Sequence, residues 1–154
     1  KKTPARYQHW AKDNSTVVPL ADDAGHARII AGRFGNTDGA AETFTELNVW
    51  DIVLNGGASA DLDVPAGHNL MLVVLRGEVR INGGQSVQAS QMATFERESG
   101  SVKVEAVGGE AKILLLSGVP IDEPVVGYGP FVMNTEAEIA EVMNEFRSGK
   151  FGAV

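Results

Sequence analysis

Three histidines and a short run of alternating charges are the groups in this chain whose types could do chemistry. Imidazole binds metals and moves protons near neutral pH. His68, in Pro65-Ala66-Gly67-His68, is the one His in a strand-rich segment and so the candidate ligand or acid/base group. His9 sits in an irregular lead-in and His26 in a Gly-flanked loop, where exposure is the plain reading. One imidazole without a second nearby in sequence makes a poor metal site. The structural reading of His68 is therefore a loop or barrel-mouth residue bonded to backbone or water. Glu96-Arg97-Glu98 alternates, placing two carboxylates on one strand face and Arg97 on the other. Such a pair can divide into acid and base when burial separates their pKa values, but a solvated strand end is the commoner outcome. His68 and Glu96 are the candidate pocket residues, and neither is assigned a catalytic role.

These groups must be held by a fold that the composition constrains. The 154 residues are 44% hydrophobic and 21% charged, enough for one domain with a genuine core. Eighteen glycines between short apolar runs predict many tight turns and an all-β architecture. No Cys is present, which excludes disulfides, thiolate metal sites and cysteine nucleophiles. A net charge of −7 and a pI near 4.9 argue against direct nucleic-acid binding, which needs basic patches. The longest apolar stretch, Leu70 to Leu75, is too short to span a bilayer. Nothing hydrophobic follows Lys1 and Lys2, so the start does not read as a secretory signal, and a cytoplasmic location is expected. The first residue is not Met, which points to a trimmed precursor.

Residues 1–20 read as an extended lead-in. Ala27 to Phe34, Ala41 to Thr45 and Leu47 to Leu54 read as strands, and Ala58, Ala60, Leu62 and Val64 alternate with polar partners at period two. Leu70 to Leu75 is apolar on both faces, which predicts a place inside a sandwich or barrel. Val79 and Ile81 lead to Asn82-Gly83, the pair suited to a turn with two positive φ angles, and Val87 lies beyond: a hairpin. A second hairpin is expected across Gly108-Gly109, with Val102, Val104 and Ala106 facing Ala111, Ile113 and Leu115. Thr135 and Glu138 make a capping box, and Ile139, Val142, Met143 and Phe146 recur as one helical stripe, ended by Gly149. This helix is read as a lid on an open barrel end, or else as packing on another domain or chain. Trp50 and Trp10 are expected to anchor packing.

Pro65-Ala66-Gly67-His68 followed by Val74-Leu75-Arg76-Gly77-Glu78-Val79 resembles the first motif of the cupin superfamily. Tyr7-Gln8, Ile30-Ala31-Gly32, Thr43-Phe44-Thr45, Asn48-Val49-Trp50-Asp51 and the run from Gly118 through Gly127-Tyr128-Gly129-Pro130-Phe131-Val132-Met133-Asn134 resemble the second cupin domain of pirins. The resemblance covers nearly the whole chain. It implies one cupin domain over 1–154, an all-β double-stranded β-helix or jelly-roll barrel over 21–126, with a tail segment and C-terminal α-helix over 127–154. Metal-binding cupins place two His one residue apart and a Glu ahead of the Val-Leu-x-Gly-Glu stretch. Those positions fall near Val64, Ala66 and Leu70, and the later ligand's segment, Ala89 to Glu96, holds no His. The resemblance thus implies no cofactor in this chain, with iron confined to an N-terminal cupin half.

On this basis the expected role is a metal-free, non-catalytic C-terminal domain that packs on that half, in the same protein or another protomer, and supports its site. Tyr128, Phe131 and Met133 are candidate interface residues. Two alternatives stand beside it. The chain could be part of an iron-dependent quercetin 2,3-dioxygenase or a redox-responsive transcriptional co-regulator. It could instead be a stand-alone cupin binding a small ligand around His68, although metal-free cupin chemistry uses a His with a carboxylate partner and the sequence makes no such pair evident.

Overall fold

A computed structural model describes residues 8–9, 15–97 and 100–151. His9–Pro120 form one compact unit, and the residues from Ile121 onward belong to a second. Trp10 and Glu98 lie outside the described residues, as does most of the predicted lead-in.

The first unit is two antiparallel sheets closed on a common core. Six strands form the larger sheet: β1 (Thr16–Pro19), β2 (Gly25–Ala31), β5 (Leu47–Leu54), β7 (Asn69–Arg76), β10 (Met92–Phe95) and β12 (Ala111–Gly118), in the order β1-β2-β5-β12-β7-β10. The smaller sheet is β6 (Ser59–Asp63), β11 (Ser101–Ala106), β8 (Glu78–Ile81) and β9 (Ser86–Gln88), in that spatial order. A two-stranded ribbon, β3 (Arg33–Phe34) with β4 (Thr37–Asp38), stands beside them. Successive side chains alternate between faces, so period-two apolar residues from both sheets meet inside. Trp50, Ile52, Leu72 and Ile113 from the larger sheet and Leu62, Val79 and Val104 from the smaller are all buried in one cluster. The all-β cupin architecture is as the sequence predicts.

Three local expectations are corrected. The predicted strand Ala41 to Thr45 is a loop with a single bridge, Ala31 to Ala41. The predicted β11–β12 hairpin does not form: β11 pairs with β6 and β8, whereas β12 pairs with β5 and β7. Val102 and Val104 share one buried cluster with Ile113 and Leu115, but from the other sheet, because the Gly108-Gly109 connection crosses from one sheet to the other. The outer face of β7 is also not enclosed, with Leu75 49% exposed. By contrast, Asn82 (φ 49°) and Gly83 (φ 71°) turn the β8–β9 hairpin as predicted, and the Asn82 carboxamide oxygen accepts from Lys103 N at 2.9 Å, fastening it to β11.

The second unit is a hairpin of β13 (Val126–Tyr128) and β14 (Phe131–Met133) packed on helix α1 (Glu136–Arg147). The predicted cap is present: Glu138 N donates to Thr135 Oγ1 and Thr135 N to Glu138 Oε2, each at 3.2 Å. Of the helical stripe, Ile139 and Val142 are buried while Phe146 stays 61% exposed, its ring 5.7 Å from that of Phe131. Thr135→Ala should cost about 1 kcal/mol, because the Glu138 N–H at the helix start loses its side-chain acceptor, while the backbone N–H of residue 135 keeps Glu138 Oε2. Urea unfolding followed by far-UV circular dichroism reads this, and an unchanged midpoint would count against the cap's contribution. Among the described residues, no helix is long and apolar enough to cross a membrane.

Candidate functional site

The sheet register gathers the polar residues of the first unit at one end of the core. Asn48, Ser117 and His68 are the buried polar residues among those described. Ser117 pairs with Asn48 on one side and Leu70 on the other, so these three lie in one row across β5, β12 and β7. Asn48 Nδ2 donates to Ser117 Oγ at 3.0 Å, and Asn48 Oδ1 accepts from Arg33 N at 2.9 Å. Gly32 makes the second bond reachable: with φ +76° and a would-be Cβ only 2.1 Å from Leu47 O, no larger residue lets the backbone cross β5 so closely.

Beyond that row opens a cleft of about 770 Å³, lined by Arg33, Asp38, Glu46, Asn48, Asp63 and Pro65 among others. Arg33 Nε donates to Asp38 Oδ1 at 2.7 Å and Nη2 to Oδ2 at 3.2 Å. This forked pair, chiefly through its hydrogen bonds, raises the Arg33 pKa and lowers that of Asp38. Both side chains are solvent-exposed, so the pair shapes the rim more than it stabilises the fold.

His68 lies two residues outward of Leu70, and Glu46 two residues outward of Asn48, which brings them together. Nε2 of the buried imidazole is 3.8 Å from Glu46 Oε1, and Nδ1 is buried without a hydrogen-bond partner. The carboxylate beside His68 is therefore Glu46, the residue between the stretches Ala41 to Thr45 and Leu47 to Leu54. Its signal was the period-two spacing to Asn48, meaningful only once β5 and β7 are known to flank β12. Glu96 is exposed beyond β10, and its neighbour Arg97 donates from Nε to Asn69 Oδ1 at 2.8 Å. Of the interface candidates in the second unit, Tyr128 is 62% exposed while Phe131 and Met133 are half-buried.

The three motif positions, Val64, Ala66 and Leu70, carry no metal-ligating side chain. Val64 and Leu70 are packed in the core and Ala66 points outward, exposed. In the later segment Ala93 and Phe95 pack against the core. Among the described residues no three His, Cys, Asp or Glu side chains converge enough to hold a metal ion. His68 and Glu46 offer two donors where an octahedral ion bound by imidazole and carboxylate needs more.

The family profile of the pirin C-terminal cupin domain matches residues 49–152. The chain belongs to the pirin family. A Pseudomonas aeruginosa pirin relative, provisionally named a quercetin 2,3-dioxygenase, is 41% identical over 151 residues, covering 98% of this chain and 52% of its own length. A pirin-like protein of Caulobacter vibrioides is 31% identical over 153 residues, covering 98% of this chain and 54% of its own. The crystal structure of a quercetin 2,3-dioxygenase from Acinetobacter baumannii superposes with a TM-score of 0.89 at 42% identity, over 98% of this chain and 52% of that one. The chain thus spans about half the length of the curated relatives it matches.

Proposed function

We propose that this pirin domain is a metal-free, non-catalytic cupin half that packs on an iron-binding cupin half and supports the geometry of its site. The observation that carries this reading is the substitution of the cupin ligand positions by core residues, Val64 and Leu70, in a chain half as long as its dioxygenase-named relatives. Apolar side chains and an Asn48–Ser117 bond fill this end of the core, which suits a supporting role better than one requiring open coordination positions. The tail hairpin, with exposed Tyr128 beside Phe131 and Met133, provides an apolar surface for that association.

The test is flavonol consumption. The 154-residue chain, supplied with ferrous iron and quercetin in air, should consume no flavonol above the iron-only control. Co-expression with the part of the Pseudomonas aeruginosa relative outside the matched region should give turnover. Turnover by the chain alone would overturn the reading.

One observation favours a second reading, a small-ligand site at the cleft. His68 leaves Nδ1 unpaired in the interior while Nε2 approaches a carboxylate that lines the opening. A ligand carrying N–H or O–H donors would suit Glu46 and Asp63.

A further inference from the structure

The His68 side chain is only 5% exposed, yet neither of its ring nitrogens makes a hydrogen bond among the described residues. Nδ1 is sealed in the interior, while Nε2 faces Glu46 Oε1 at 3.8 Å, beyond hydrogen-bond length. An N–H buried without an acceptor costs more than a bare lone pair, which assigns the proton to Nε2. The imidazole therefore offers a donor toward Glu46, a carboxylate that is 71% exposed and lines the cleft. The gap between them suits one oxygen about 2.8 Å from each, accepting from Nε2–H and donating to Glu46 Oε1. A ligand group that accepts and donates at once is a hydroxyl.

The rest of the cleft repeats this mixture of donors and acceptors. Asp38, Glu46 and Asp63 accept. Arg33 donates, since its Nη1 takes no part in the fork to Asp38, and Asn48 Nδ2 gives only one of its two hydrogens to Ser117. A polyamine would use the acceptors and waste the donors. An anion would meet three carboxylates against one guanidinium. Ligating groups do not converge in threes among the described residues, so the site is not built for a metal ion. No aromatic side chain among those residues lines the cleft, which leaves a flat aromatic ligand nothing to stack on. Its volume of about 770 Å³ is that of a small-molecule site.

We infer that the cleft binds a small aliphatic polyol, such as a monosaccharide or sugar alcohol, with one hydroxyl bridging His68 Nε2 and Glu46 Oε1. This rests on the second reading above, that the cleft is a ligand site, and names the class of ligand. Hydroxyls suit every polar group present, because each one donates to a carboxylate and accepts from Arg33 or Asn48. The C–H faces of such a ligand suit Pro65 and Leu47 in the same lining. Each bond replaces one to water at an open cleft, so the net gain per bond is small and a dissociation constant on the order of 1 mM is expected.

The experiment titrates the isotope-labelled 154-residue chain with glucose, mannose and sorbitol in turn and follows its backbone amide resonances. At least one of the three should shift the amides of Arg33, Glu46, Asn48 and His68 along a saturable curve. Glu46→Ala, at an exposed position and with an unchanged unfolding midpoint, should weaken that binding at least about tenfold, the loss of one hydrogen bond to a charged group. Asp61→Ala removes an exposed carboxylate outside the cleft and should bind as the parent does. Equal binding by Glu46→Ala and the parent would overturn the inference. If the polyols shift nothing but spermidine or quercetin moves the same amides, the ligand class is wrong and the cleft reading stands. If none of these probes moves them, that reading falls and takes the inference with it.

Discussion

Trp50→Ala is expected to remove about 3–5 kcal/mol of unfolding free energy, the range for deleting a large buried aromatic. Trp50 is 1% exposed on a central strand, paired with Ile29 on β2 and Leu115 on β12. Its ring meets Phe34 edge-on, with centroids 4.9 Å apart and planes at 85°. Alanine leaves a cavity between two sheets that cannot collapse, since both are held by their own ladders. Single domains have about 5–15 kcal/mol in total, so the variant should unfold at much lower urea and be partly unfolded at physiological temperature. The indole Nε1 has no partner in the structure, so Trp50→Phe forfeits volume but no hydrogen bond. It should therefore cost less than half as much as Trp50→Ala. Equal losses for the two variants would show that the N–H, not the packing, carries the effect.

The elements legible in the sequence were those whose signals are local. The strand read at Leu47 to Leu54 matches β5 residue for residue, Asn82-Gly83 has the required φ angles, and Thr135 with Glu138 caps α1. What failed was neighbour choice. The alternation in Val102 to Ala106 and Ala111 to Leu115 says which face is inside, but a hairpin and a sheet-to-sheet crossover show the same alternation. Strand order depends on long-range pairing that no short window contains. The same limit hid Glu46 from His68, which are brought together through β12, a strand distant from both in sequence. Leu70 to Leu75 misled in a different way. Apolar residues on both faces of a strand mean that both faces seek cover, and the structure encloses only one within this unit.

The ligand positions were legible, because resemblance supplied the motif and a residue type is read directly. Val64 and Leu70 continue the inward alternation of β6 and β7, whereas Ala66 lies in the turn between those strands and is exposed. The central claim is that these substitutions leave the domain without a site for iron. Its most direct test is elemental analysis of the purified 154-residue chain after anaerobic incubation with ferrous iron and desalting. The account predicts iron far below one atom per chain, with no change on replacing His68 by glutamine. Stoichiometric iron, lost in His68→Gln, would contradict it and make His68 and Glu46 the start of a ligand set.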